Sequence, residues 1–140
     1  MAASKNRILV PIDFSDQSLI ALEQSFNLSR LTNAELHIMH VMDEAHHLPF
    51  LGAKEDKALE KKAQKALEKL AEETSKKSGI EVQTISARGK IYEEIDRAAK
   101  KLKCTFIVMG TTGNIGIKRF IGSNALRVVR QAPCPVITVK

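Results

Sequence analysis

The sequence predicts an α/β fold, specifically a single doubly wound domain on a parallel sheet with helices on both faces. Three observations predict it. Short β-branched, apolar runs alternate with segments of helical periodicity along the whole chain, and no repeat or low-complexity tract interrupts them. The run Thr105, Phe106, Ile107, Val108, Met109 is unbroken, as expected of a strand buried on both faces. Directly after it, residues 110–124 read G-T-T-G-N-I-G-I-K-R-F-I-G-S-N, a glycine-rich connection from a strand to a helix. At 140 residues the chain fits one domain, taken as 1–140, whose folding removes roughly two-thirds of the unfolded surface from water.

The first strand is expected over 7–12, and the loop Asp13-Phe14-Ser15-Asp16 ends in two candidate helix caps. A helix follows from about 16 to 31, with Leu19, Leu22 and Phe26 at helical spacing and Thr32-Asn33 as its break. A second strand covers 35–41. Residues 42–54, containing His46, His47, Pro49, Phe50 and Gly52, lack periodicity and are expected to form a loop over the ligand site. The helix over about 55–78 places Leu59, Ala63, Ala66, Leu67 and Leu70 on one face. Glu72 and Glu73 are spaced to pair with Lys76 and Lys77, and Gly79 ends the helix. A third strand over 80–86, a helix carrying Ile91, Ile95, Ala98, Ala99 and Leu102, and the strand over 105–109 come next. A last helix to about 131, with Ser123 or Asn124 as N-cap, and a strand over 135–139 complete five strands and four helices.

Right-handed crossovers leave few topologies for such a chain, and the usual ones restart beside the first strand at the fourth. The crevice of the sheet then lies at the carboxyl ends of those two strands, at Asp13 and Gly110. Glycines there let the backbone approach a ligand, and the following helix offers N–H groups and a positive dipole end to a phosphate. Glycine spacing alone fits a plain corner equally well, and an aspartate such as Asp13 also serves commonly as a loop cap.

Composition narrows the function classes. The formal charge of +6 comes from lysines interleaved with glutamates on helices, the pattern of a solvated face. With one Tyr, five Phe and no Trp, base-stacking platforms are scarce, so no nucleic-acid partner is expected. No apolar run approaches the roughly 18 to 20 residues of a membrane span, and the first strand begins too early to follow a secretory signal, so a cytoplasmic protein without a membrane partner is expected. Cys104 and Cys134 each precede a strand; buried free thiols are the expectation, with a redox switch as the minor alternative. His37 and His40 face opposite sides of their strand and cannot share a metal, and His46 and His47 lack further ligands, so no metal site is expected. Lys118 and Arg119 are either phosphate ligands or surface charges. There is no Gly-Lys-Ser/Thr of a P-loop.

Three stretches together resemble the universal stress protein family: I-L-V-P-I-D-F-S over 8–15, H-V-M-D over 40–43, and the G-T-T-G to G-S-N segment followed by C-P-V-I-T-V. The resemblance covers essentially the whole chain. It implies a five-stranded parallel sheet in the order 3-2-1-4-5, a homodimer, and a subgroup that binds ATP through Gly-x2-Gly-x9-Gly-Ser/Thr. It implies a nucleotide pocket at Pro11, Asp13, Val41, Met109, Gly110, Gly113, Gly122, Ser123 and Asn124. Asp13 would accept from ribose or the adenine amino group, the Val41 backbone would read the adenine edge, and Gly110, Gly113, Gly122 and Ser123 would present N–H groups to phosphates. Only the eight residues Asn114 to Ile121 separate Gly113 from Gly122, one fewer than the ATP-binding pattern has. One residue spans at most about 3.5 Å, enough to displace a phosphate nest while leaving adenosine recognition in place.

The expected function is a non-enzymatic stress-response regulator that binds ATP, with or without magnesium, or another adenine nucleotide. The alternative is a nucleotide-free dimeric interaction protein of the same fold. A nucleotide-processing enzyme ranks last, because no paired carboxylates or nucleophile–base set can be placed beside the glycine loop. The strand over 135–139 is an expected sheet edge, and a homodimer that covers Val136 and Ile137 would protect it.

Overall fold

A computed structural model describes residues 5–44, 52–112 and 121–140 of the chain. Its elements run β1 (Arg7–Pro11), α1 (Asp16–Thr32), β2 (Glu35–Asp43), α2 (Ala53–Ser78), β3 (Val82–Gly89), α3 (Ile91–Leu102), β4 (Phe106–Gly110), α4 (Ser123–Gln131) and β5 (Val136–Val139). The strands form one parallel sheet in the order β3-β2-β1-β4-β5. Both the five-strand alternation and the order follow the expectation.

Successive side chains of a strand point to opposite faces, and here both faces are core. Ile8 and Val10 of β1 pack with Leu36, Ile38 and Val108 against Ala21 and Leu22 of α1 and Leu67 and Ala71 of α2. Leu9, pointing the other way, packs with Met39, Ile107 and Met109 against Ile95 and Ala99 of α3 and Ala125 and Val128 of α4. Ile8, Leu9 and Val10 have no exposed surface at all, which is why the sequence reads as an unbroken apolar run.

Packing moves several sequence-based assignments. The buried face of α1 is Ser18, Ala21, Leu22, Ser25 and Ser29, whereas Leu19 keeps 37% of its surface exposed and Phe26 is only partly buried. Serine can line this face because its hydroxyl is returned to the backbone: Ser25 Oγ donates to Leu22 O at 2.5 Å and Ser29 Oγ to Ala34 O at 2.7 Å. On α2 the inward residues are Leu67, Leu70, Ala71 and Thr74, while Leu59 and Ala66 are exposed. Lys76 pairs with Glu72 at 3.1 Å as expected, but Lys77 reaches across to Glu23 on α1 at 3.9 Å. β2 continues to Asp43 and β3 to Gly89, since the two pair residue by residue from Leu36 with Val82 to Asp43 with Gly89. The first two residues of the expected loop over 42–54 therefore belong to β2; His46, His47, Pro49 and Phe50 lie outside the described residues. Among the described residues no helix is long and apolar enough to cross a membrane.

Both cysteines are free and pack into the α3–α4 side of the core. Burial, helped by the neighbouring Cys134 and opposed by Arg7, pushes the Cys104 thiol up to about 12, and burial also raises Cys134. The reactive species is the thiolate, which is scarce at both positions near neutral pH. We expect a native protein treated with a thiol reagent at pH 8 to modify Cys134 slowly and first, with Cys104 labelled only on unfolding. Mass spectrometry of a labelling time course checks this, and rapid native labelling of Cys104 would contradict it.

Candidate functional site at the carboxyl ends of β1 and β4

The sheet opens where the chain reverses its direction of winding. β1 is paired to β2 along its whole length, from Arg7 with Glu35 to Pro11 with Met39, whereas its pairing with β4 covers only Ile8 with Phe106 and Leu9 with Ile107. Beyond Leu9 and Ile107 the two central strands are no longer paired, and the chain leaves them through Asp13 on one side and Gly110 on the other. This is the switch-point crevice of a doubly wound sheet.

On the β1 side, Pro11 is half-buried, Ile12 is buried and Asp13 is exposed. Asp13 Oδ1 accepts from the Ser15 backbone N–H at 2.9 Å and also from Ser15 Oγ. Ser15 is the N-cap of α1, its Oγ accepting from the Ser18 N–H at 3.2 Å. Of the two candidate caps, Ser15 takes the role and Asp16 begins the helix. The loop-cap role weighed for Asp13 is thus realised, with the carboxylate held at the crevice mouth. Phe14, between Asp13 and Ser15, has φ 63°, a left-handed conformation that residues with a side chain rarely adopt.

On the β2 side, Val41 is buried and pairs in register with Ala87. On the β4 side Met109 is buried, with Thr111 and Thr112 buried just beyond Gly110. Gly110 has a reason to be glycine that the sequence did not disclose. A Cβ there would lie 3.0 Å from Gln17 Cβ and 3.1 Å from the Gln17 backbone carbon, so it lets α1 sit against the end of β4. Among the described residues Gln17 Oε1 is buried without a hydrogen-bond partner.

The start of α4 differs from expectation in two ways. The N-cap is Gly122, with φ −66° and ψ 158°, and neither Ser123 nor Asn124, which are the first two helical residues. The Gly122 N–H, expected to face a phosphate, instead donates to Thr111 O at 2.6 Å, and a Cβ on Gly122 would crowd that same oxygen at 3.3 Å. The helix geometry leaves the N–H groups of Ser123, Asn124 and Ala125 without intrahelical acceptors, at the positive end of the α4 dipole. Ser123 is exposed and Asn124 partly so. Gly113, Lys118, Arg119 and most of the shortened 114–121 segment lie outside the described residues.

Two contributors escaped the sequence reading. Neither metal spacing nor the H-V-M-D stretch assigns His40 the contact it makes, Nδ1 to Ile12 O at 2.9 Å; His37, facing the opposite side as expected, has Nε2 3.2 Å from Glu35 Oε2. Arg88, at the end of β3, reaches Asp56 of α2 at 2.6 Å. That hydrogen bond, more than any other influence, raises the guanidinium above its ordinary value and ties the start of α2 to the same end of the sheet. The signal for His40 was its place in H-V-M-D; Arg88 carried none.

The fold and this crevice define a class, that of doubly wound α/β proteins whose parallel sheet opens at the β1/β4 switch point. The chain belongs to the universal stress protein family, whose profile, described as "Universal stress protein family", matches residues 5–140. It is 34% identical to the universal stress protein MJ0531 of Methanocaldococcus jannaschii over 96% of this chain and 81% of that one. Its structure superposes on the universal stress protein UspA from Lactobacillus plantarum with a TM-score of 0.83, at 29% identity, covering 99% of this chain and 100% of that one. The structure of a universal stress protein from Archaeoglobus fulgidus in complex with dAMP shares the fold at a TM-score of 0.70 and 23% identity, covering 98% of each chain.

The close approach at Gly110 is directly testable. Gly110→Ala should destabilise the fold by about 1–3 kcal/mol, because α1 or the end of β4 must move. Urea denaturation reads the cost, and a stability equal to the wild type would show that the contact with Gln17 relaxes freely.

Proposed function

We propose that this protein is a stress-response regulator that binds ATP or another adenine nucleotide in the crevice between the carboxyl ends of β1 and β4. The observation that carries the reading is the convergence at one switch point of the Asp13 loop, the unpaired ends of β1 and β4 and the N-terminus of α4. The dAMP complex of the Archaeoglobus fulgidus protein supports it only to the extent that this fold accommodates an adenine nucleotide. In this reading Asp13 takes the ribose hydroxyls or adenine amino group and the Val41 backbone the adenine edge. Phosphates meet the N–H groups of Ser123 and Asn124, with magnesium as counterion for ATP; the family resemblance assigns Gly113 to the same role, and it lies outside the described residues. Pro11, Met109 and Gly110 form the floor. ATP is held and not turned over, so steady hydrolysis well above the uncatalysed rate would overturn that part.

A second reading has a specific observation in its favour. With the Gly122 N–H committed to Thr111 and the 114–121 segment one residue short, the phosphate nest is reduced, which favours a nucleotide-free interaction protein of the same fold. Calorimetry with ATP and with AMP, each with magnesium, separates the two. Nucleotide binding predicts that Asp13→Ala weakens both ligands by a similar factor, on the order of tenfold for one lost hydrogen-bonding group. An ATP affinity no better than that of AMP means that adenosine recognition survives without the nest. Absence of heat or thermal stabilisation at millimolar nucleotide would leave the interaction protein standing.

In both readings the protein is a homodimer through β5. That strand is a sheet edge, its Ile137 is exposed, and Val139 turns into the α1–α2 core. Val136, by contrast, packs into the α3–α4 core, so a charge there would test folding more than assembly. Ile137→Glu should convert a dimer into a folded monomer in light scattering with little change in circular dichroism. A wild-type protein that is monomeric at high micromolar concentration would refute the dimer.

A further inference from the structure

Asp13 carries the proposed recognition of adenosine, and the residues on both sides of it are held by one side chain. Ile12 is anchored to β2 at both of its backbone polar groups: its N–H donates to Met39 O at 2.7 Å, and its carbonyl oxygen lies 2.9 Å from His40 Nδ1. A carbonyl oxygen can only accept, so in this contact the imidazole carries its proton on Nδ1. The same ring meets the Phe14 ring with centroids 5.2 Å apart and planes tilted by 51°, within the range of favourable aromatic pairs. Phe14 is the residue with φ 63°. His40 therefore touches residues 12 and 14 and brackets Asp13 between a hydrogen bond and a ring contact.

We propose that His40 is the positioning residue of the ligand site, holding the β1–α1 loop so that the Asp13 carboxylate faces the crevice. The physical argument is that a left-handed conformation at a residue with a Cβ persists only where its surroundings over-determine it. Asp13 has its Oδ1 engaged by Ser15 on the far side of Phe14, so relaxation of Phe14 displaces Ser15 relative to the carboxylate. Hydrogen bonds between Asp13 and Ser15 lie within the loop and do not tie it to the sheet. The contacts from β2 can, because β2 is paired on both edges, to β1 and to β3. His40 also borders a hollow between α2 and the sheet, lined by Met42, Glu60, Gln64 and Ser86, whose volume of ≈ 20 Å³ admits about one water.

This inference rests on the adenosine role of Asp13, and two substitutions divide the ring's functions. His40→Phe keeps a ring for Phe14 and removes the donor to Ile12, whereas His40→Asn places an amide donor near the Nδ1 position and removes the ring. We expect His40→Phe to weaken AMP and ATP alike by about tenfold, the scale of one unsatisfied carbonyl, and His40→Asn to recover most of that loss. In an Asp13→Ala background, His40→Phe should have no further effect, because the two residues act as one unit. Equal losses in both backgrounds, or wild-type affinity in His40→Phe, would overturn the proposal. Amide exchange gives a readout that needs no ligand: Ser15 should exchange faster in His40→Phe while Leu9 and Ile107 keep their protection. If the wild type binds no nucleotide, the proposed function fails, yet this exchange pattern still supports the loop-holding role and an unchanged Ser15 rejects it. Should His40→Phe not fold, Phe14→Ala removes the ring contact from the other side, with faster exchange at Ser15 again expected and unchanged exchange again overturning the role.

Discussion

The rest of the structure depends on how β1 is held. It is the central strand, buried on both faces and paired to β2 along its whole length but to β4 over only two residues. Burial of Ile8, Leu9 and Val10 on opposite faces locks both helical layers to one strand, so β1 cannot shift without uncovering two cores at once. Its continued pairing to β2 carries Ile12, and with it Asp13, to a defined place, while the lapse of pairing to β4 leaves the crevice. One asymmetry in a hydrogen-bond ladder thus supplies both the rigid wall and the opening.

The opposite end of the sheet is closed by polar contacts. Arg7 donates through Nη1 to Leu102 O at 2.9 Å and its backbone N–H reaches Thr105 Oγ1 at 3.2 Å, while Glu35 Oε1 meets Lys5 at 3.3 Å. Burial pulls the Glu35 carboxyl upward, but hydrogen bonds and charge from Lys5 and His37 outweigh it and leave it below its ordinary value. Such partly exposed pairs contribute little stability individually. Their effect is to join the starts of β1, β2 and β4 where the chain would otherwise fray, leaving the carboxyl end as the place where the sheet opens.

Much of the site was legible because its parts are local patterns. Asp13 follows an apolar strand, Ser15 precedes a helix, and Gly110 ends another strand; each is a change of periodicity that the chain announces. What the glycines are for was less legible. Gly110 makes room for Gln17, nearly a hundred residues earlier, and the Gly122 N–H serves Thr111 O. A glycine records that a side chain is excluded, and a neighbour in the fold excludes it as effectively as a ligand does. His40 was hidden for the same reason, since its partners Ile12 and Phe14 are remote in sequence and histidine spacing suggests metals first.

The sequence by itself determined the class of fold, the five strands and four helices, the sheet's buried character and the two chain segments that meet at the switch point. Those features follow from periodicity, from turn and cap chemistry and from the handedness of crossovers, all of which act over short stretches. Only the tertiary structure decided which face of α1 is buried, where β2 and β3 end, which residue caps α4 and what holds the Asp13 loop. Each of these depends on a partner brought near by folding: β4 against the small serine face of α1, β3 in register with β2, Thr111 against Gly122, and His40 between Ile12 and Phe14. Local propensity is silent on such pairs, because the free energy that selects them comes from burial and hydrogen bonding between segments that composition does not place together.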